Sequence, residues 1–259
     1  MDAATIISTS LQVADLVKET YVNYPCIKKW FNRKFRKPIH VLIVGESGSG
    51  KTQFLSTIQG EDNFPEKRTM FSHDSTLELP NGRRVIFCDT PGHQSMKPER
   101  DRSINDINRK KYNGIVNIVC YGYQSTEGLK ESDVFQGDSI KESFLKENRE
   151  RELKQIQEWL PRIDKNCQVD WVLTIINKAD IWWEQKEQVV DYYAEGSSYE
   201  HELQQISRLT KAAIIPYCSL ISPFMGRPRP SIFGDKIKYA LHVNLCKQLG
   251  ELIGIEWLK

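Results

Sequence analysis

No two cysteines in the chain stand in a C-x-x-C spacing; the six, Cys26, Cys88, Cys120, Cys167, Cys218 and Cys246, are scattered singly. That removes the common zinc-site pattern and leaves no disulfide framework. Cys88, Cys120 and Cys218 fall inside apolar, strand-like runs, where a reduced thiol behaves as a small hydrophobe. Long apolar runs are also missing: Val41-Leu42-Ile43-Val44 is typical of the longest, against the roughly 20 residues that a membrane-spanning helix needs. Met1–Val17 has no leading basic stretch and carries Asp2 and Asp15, so no cleaved secretory signal is expected and a reducing, cytoplasmic compartment is. Neither sign of charge dominates, since 36 Lys and Arg face 34 Asp and Glu for a net +2. Yet six of the ten residues Lys28–Lys37 are basic, so the positive charge is local and the rest of the chain is net negative. With 259 residues, 39% hydrophobic and 27% charged, the composition fits one large globular domain with attached extras.

What is present is an alternation of short β-branched runs with longer polar stretches of helical spacing, the mark of a doubly wound α/β domain with a mostly parallel sheet. The expected strands are Ile39–Val44, Arg83–Cys88, Ile115–Cys120, Trp171–Ile176 and Ala212–Cys218. Ser75–Leu79 and Arg83–Cys88 flank Pro80-Asn81-Gly82, a hairpin signal that adds one antiparallel edge strand. Glu147–Leu160 has a helical apolar face through Leu153, Ile156 and Trp159 and should end at Pro161. Ser231–Leu258 should form a closing helix with Ile237, Ala240, Leu241, Leu245, Leu249 and Ile253 on its apolar face. The polar segments 121–146 and 182–201 read as insertions at the sheet edges. Residues 1–37 read as a separate piece, a helix followed by the basic-aromatic arm Lys28–Lys37, and residues 38–259 as the main domain.

Gly45-Glu46-Ser47-Gly48-Ser49-Gly50-Lys51-Thr52 fits G-x-x-x-x-G-K-[ST] between an expected strand and an expected helix. Glycines let successive backbone N–H groups converge on phosphate oxygens at a helix N-terminus. Lys51 is suited to the β- and γ-phosphates and the Thr52 hydroxyl to Mg²⁺. Asp89-Thr90-Pro91-Gly92 follows a strand, which puts the Asp89 carboxylate at a carboxyl edge where it can hold Mg²⁺ through water, with the Gly92 N–H directed to a γ-phosphate. Asn177-Lys178-Ala179-Asp180 ends the strand Trp171–Ile176, and with it the sequence resembles the P-loop GTPase superfamily, whose base-recognition motif is N-K-x-D. The resemblance implies that Asp180 accepts from the guanine N1–H and amine, that Asn177 joins the base edge to the phosphate loop, and that the Lys178 stem lies across the ring. It also implies that Ser219, in Cys218-Ser219-Leu220, offers its backbone N–H to the guanine carbonyl. The phosphate loop taken with Asp89-Thr90-Pro91-Gly92 is similar to septin, immune-associated and chloroplast-import GTPases. Asp89-Thr90-Pro91-Gly92-His93 instead resembles the D-C-P-G-H of translation factors.

The same resemblance asks for a first-switch threonine on Mg²⁺, and Thr69 stands at the expected distance before Asp89. His93 takes the water-orienting position after Gly92, with Gln94 beside it as a substitute; Arg68, beside Thr69, reads as a solvated loop arginine rather than a transition-state charge in cis. His40, His73, His201 and His242 have no ligand spacing and read as structural. Of the arm, three readings stay open: an anionic membrane surface, RNA, or a solvated cap on the domain. The expected function is a Mg²⁺-dependent GTPase, slow without a partner or a homodimer formed through the nucleotide face. It would act as a switch or a nucleotide-gated assembly module. The rivals are a P-loop ATPase, against which Asp180 argues, and a scaffold that holds GTP with negligible hydrolysis.

Overall fold

A computed structural model describes residues 37–60, 73–79, 81–90, 112–126, 128–167, 169–205, 211–227 and 232–254. Thr69, Gly92, His93 and the arm residues 28–36 lie outside them. The chain divides into two compact units, Met1–Pro38 with Thr76–Val85, and Ile39–Ser75 with Ile86–Lys259; every described candidate site residue is in the second. Among the described residues, no helix is long and apolar enough to cross a membrane.

The described elements run β1 (Ile39–Val44), α1 (Lys51–Gln59), β2 (His73–Glu78), β3 (Arg84–Asp89), β4 (Gly114–Val119), α2 (Glu131–Val134), β5 (Phe135–Gln136), β6 (Ser139–Ile140) and α3 (Glu142–Cys167). They continue with β7 (Trp171–Ile176), α4 (Ala179–Trp182), α5 (Lys186–Tyr193), α6 (Ser198–Gln204), β8 (Lys211–Pro216) and α7 (Asp235–Ile253). Six strands form one sheet in the order β2-β3-β1-β4-β7-β8, and β5 and β6 make a separate small hairpin. The pairs β1–β4, β4–β7 and β7–β8 are parallel. Every residue of β4 and β7 is buried, as expected of parallel strands covered on both faces, and this is why they read as unbroken apolar runs. From β1 the chain runs to the edge strand β2, returns through β3 beside β1, and then crosses to β4 on the other side of β1. This reversal leaves a crevice at the carboxyl ends of the strands.

Two helices depart from the sequence expectation. α3 does not stop at Pro161 but runs on to Cys167. Proline removes one helical N–H but its fixed φ suits a helix, and the segment before it is anchored by the buried Asn148, Glu152 and Ile156. α7 is shorter than expected, because Gly254 turns left-handed (φ 70°) and donates to Gly250 O and Glu251 O to close it. Ala240 is exposed; the buried stripe is Leu241, Leu245 and Leu249.

Asn117 and Thr174 interrupt the apolar β4 and β7 at adjacent register positions. Both are satisfied by one phenol from α6: Asn117 Nδ2 donates to Tyr199 Oη at 2.6 Å, and Thr174 Oγ1 shares a hydrogen bond with it at 2.9 Å. The segment 182–201 thus sends Tyr193 and Tyr199 into the interior, where neither is accessible to any extent that matters. Replacing Tyr199 by Phe keeps the ring and leaves a buried amide without its acceptor. We expect about 1–3 kcal/mol of destabilisation, read from urea unfolding, and an unchanged midpoint would show that the phenol is dispensable.

Candidate functional site

The turn from β1 into α1 is Gly45–Gly50. Gly48 and Gly50 adopt φ of 76° and 94°, and a Cβ there would stand 2.4 Å from Ser125 O and 2.4 Å from Asn177 Nδ2 respectively. Both the dihedral and the space therefore demand glycine. Gly50 caps α1 in a left-handed conformation and has no side chain to cap the first-turn N–H groups. Lys51 is 7% exposed, and its Nζ donates to Gly45 O at 2.8 Å and Glu46 O at 3.0 Å, which holds the ammonium across the loop. Thr52 follows it in the first turn. A cavity of about 510 Å³ opens beside Glu46 and Ser47, lined further by Gln124, Lys141, Asn148 and Arg151, so polar side chains flank the loop there.

Asp89 ends β3 and is 1% exposed; the next residue, Thr90, donates from Oγ1 to Ile43 O at 2.9 Å, fastening this strand end to the one that leads into the phosphate loop. Asn177 follows β7. Its Nδ2 donates to Ser49 O at 2.9 Å, and its Oδ1 accepts from Ser219 N and Ser219 Oγ, both at 3.1 Å. Thr57 on α1 also reaches Ser219, donating to its carbonyl at 3.1 Å. Lys178, left-handed at φ 59°, donates to Tyr123 O at 2.7 Å and Ser125 Oγ at 3.0 Å. Asp180 lies in the first turn of α4, buried at 1% exposure. Lys51, Asn177 and Ser219 are thus drawn into one bonded frame at the carboxyl edge of the sheet, with Asp89, Lys178 and Asp180 on the segments it fastens. Among the described residues, no group of three or more His, Cys, Asp or Glu is placed to hold a metal.

Sequence reading passed over Glu152. This carboxylate, on α3, accepts from Cys120 N at 2.8 Å, Gln124 Nε2 at 2.6 Å and Tyr193 Oη at 2.5 Å. Asn148, one turn earlier, donates to Gly122 O at 3.0 Å. Together they shape the loop 120–125, which carries the acceptors of Lys178 and packs against Gly48. The four-residue spacing of Asn148, Glu152 and Ile156 was the available signal, masked because two of the three are polar. Burial raises the Glu152 carboxyl above its usual 4.5, and the hydrogen bonds it accepts oppose this only in part. Burial and then the charge of Glu152 push the Tyr193 phenol well up.

No protein-family model matches the chain. Over 141 residues it is 27% identical to translation initiation factor IF-2 of Borrelia garinii subsp. bavariensis, a stretch covering 51% of this chain and 16% of that protein. A 78-residue stretch is 37% identical to translation initiation factor IF-2 of Aquifex aeolicus, covering 28% of this chain and 9% of that one. The chain thus matches less than a fifth of the length of these curated relatives. Among solved structures, bacterial selenocysteine-specific elongation factor EF-Sec aligns with a TM-score of 0.48 at 14% identity, covering 84% of this chain and 29% of that one. A GTP-binding protein from the archaeon Sulfolobus solfataricus, in complex with GDP, aligns at 0.43 with 15% identity, covering 95% and 60%. The sequence likeness to IF-2 and three ordered motifs gathered at one sheet edge point the same way. They are consistent with the P-loop GTPase superfamily. In this domain, loop 120–125 depends on a carboxylate from α3.

Because the folded-state pKa of Glu152 is raised, the native protein binds more protons than the unfolded chain between 4.5 and that raised value. Its contribution to stability is therefore fully present below pH 4.5 and is lost as pH rises through the folded pKa. Glu152→Gln should flatten that fall in urea midpoints measured across the acidic range; an identical slope in the variant would assign the pH dependence to another group.

Proposed function

We propose that the chain binds guanine nucleotide with Mg²⁺ and hydrolyses GTP, as a switch whose surface depends on the nucleotide held. The observation that carries this reading is the Asn177 side chain, which bonds the phosphate loop to the segment before Asp180 and to Ser219. In this reading residues 1–37 are an attached arm and 38–259 the G domain, with 121–146 and 182–201 as its insertions.

The phosphate loop, residues Gly45, Glu46, Ser47, Gly48, Ser49 and Gly50, wraps the triphosphate with backbone N–H groups. Lys51 turns from two neutral carbonyls to the more strongly accepting β- and γ-phosphate oxygens. Thr52, at the start of α1, and Asp89, at the end of β3, supply hard oxygen donors that suit Mg²⁺, a metal usually completed by phosphate and water rather than by a full protein cage. Mg²⁺ held by Thr52 and Asp89 would neutralise phosphate charge there. Thr69 completes that set, the Gly92 N–H meets the γ-phosphate and His93 orients the attacking water. At the base, Asp180 accepts from two guanine donors that adenine lacks, Lys178 covers the ring, and Ser219 and Asn177 fix the edge. The basic arm serves contact with an anionic membrane or RNA, and the nucleotide face serves a homodimer that speeds turnover.

Nucleotide carried by the purified protein should be guanine-type by chromatography, and Asp180→Asn should move preference toward xanthine nucleotides. An unchanged preference would remove Asp180 as the base selector. Lys51→Ala should weaken GTP binding by about a hundredfold or more, the loss expected when charge-assisted hydrogen bonds to phosphate vanish; calorimetry checks it, and retained affinity would contradict the phosphate-loop assignment. His93→Ala should slow hydrolysis at unchanged affinity, whereas an undetectable wild-type rate would favour the scaffold reading.

A further inference from the structure

The loop after Ser219 leads to a second feature beside the base segment. Phe224 and Arg227 face each other across a two-residue turn as an antiparallel bridge, with Arg227 N donating to Phe224 O at 3.2 Å. Met225 and Gly226 both have positive φ, 53° and 79°, as a tight primed turn requires, although methionine rarely adopts that conformation. Directly opposed residues of such a bridge send their side chains to one face. Both side chains meet the small β5–β6 hairpin. The Phe224 ring lies edge-on to Phe135, with centroids 6.3 Å apart, and to Tyr123 at 6.0 Å.

The guanidinium of Arg227 stands 3.9 Å over the Phe135 ring. Its Nη1 donates to Gly137 O at 2.7 Å and to Asp138 Oδ1 at 3.4 Å, and its Nη2 is 3.9 Å from Glu131 Oε2. One planar cation therefore ties two segments about ninety positions apart in sequence. On the other side of the turn, Phe224 is 5.7 Å from Lys178 Nζ, whose hydrogen bonds to Tyr123 and Ser125 fix it from below. A two-stranded hairpin and a two-residue turn are each marginal alone. Here each is the other's support.

We propose that Arg227 is a positioning residue for nucleotide retention: by locking the turn 224–227 onto the hairpin 135–140, it keeps Phe224 against Lys178 and so sets how fast a bound guanine nucleotide leaves. This rests on the guanine-nucleotide reading above. Individually, partly exposed ion pairs are weak. The fork that reaches a backbone carbonyl while stacking on an aromatic ring is a geometry that lysine cannot copy. Release of the base requires the segments around Lys178 and Ser219 to part, and the clasp resists that motion without touching the phosphates.

The test uses the full chain loaded with GDP carrying a fluorescent ribose label and chased with excess unlabelled GDP. Arg227→Ala should release the nucleotide about tenfold faster or more, the loss of one charge-assisted contact set, with association altered less than about twofold and the urea midpoint unmoved. Arg227→Lys should lie between variant and wild type. Glu131→Gln with Asp138→Asn, two exposed positions that keep the test open should Arg227→Ala fold poorly, should also speed release and add nothing on top of Arg227→Ala. Release from both the arginine and the acidic variants within about twofold of wild type, at normal wild-type retention, overturns the clasp alone. Wild-type protein that retains no GDP overturns the guanine-nucleotide reading itself.

Discussion

The carboxyl edge of the sheet depends on one buried amide. All four polar atoms of Asn177 are engaged: its N–H with Val119 O, its carbonyl with Trp182 Nε1, its Nδ2 with Ser49 O and its Oδ1 with Ser219. An amide matched at both ends has a single orientation, so the loops after β1, β7 and β8 keep fixed relative positions. The same atom sets a steric limit, since a Cβ on residue 50 would collide with Asn177 Nδ2. The asparagine and the glycine of the phosphate loop are thus one constraint seen from two strands. An aspartate at 177 would lose the donor that Ser49 O accepts from and place a buried charge against that carbonyl, so the residue type follows from the geometry.

A second layer makes this edge affordable in hydrogen-bonding terms. Strands covered on both faces have no water to satisfy a polar side chain, yet β4 and β7 carry Asn117 and Thr174 in register. Tyr199 from α6 meets both, while Glu152 from α3 and Tyr193 from α5 meet the backbone just past β4. Aromatic packing holds the phenols in place: Tyr193 and Tyr199 lie edge-to-face with centroids 4.8 Å apart, and Arg149 sits 4.5 Å over Tyr121. The polar segments between the strands are therefore structural suppliers of donors and acceptors to the site's foundations.

How much of this was legible follows from the kind of signal each part leaves. β1 and β7 are found to the residue because doubly covered strands are continuous β-branched runs between loop residues. Gly45–Thr52, Asp89 and Asn177–Asp180 stood out in the sequence as patterns of fixed residue type and spacing, and they lie at the strand ends where they were expected. Pro161 misled, since a proline's cost to a helix is finite and buried contacts before it outweigh one missing hydrogen bond. Glu152 was illegible by apolar periodicity, as its face of α3 is built from an asparagine, a glutamate and one isoleucine. The pairing of Arg227 with Phe135 left no trace at all, because no local pattern links residues so far apart.

The two sides of the site are held by different physics. The phosphate loop is fixed by close packing: glycines at positive φ, pressed against the Ser125 backbone and the Asn177 side chain, admit no graded change, since any side chain there clashes. The base side is fixed by side chains reaching across loops, Lys178 to Tyr123 and Ser125, Phe224 to Lys178, Arg227 to the β5–β6 hairpin. Such contacts weaken one at a time while the backbone keeps its path. Substitution can therefore tune the base side in small steps, whereas the phosphate side tolerates almost none. Divergence in this chain should accordingly collect around 121–146 and 220–227, where contacts trade against one another, and not between Gly45 and Thr52.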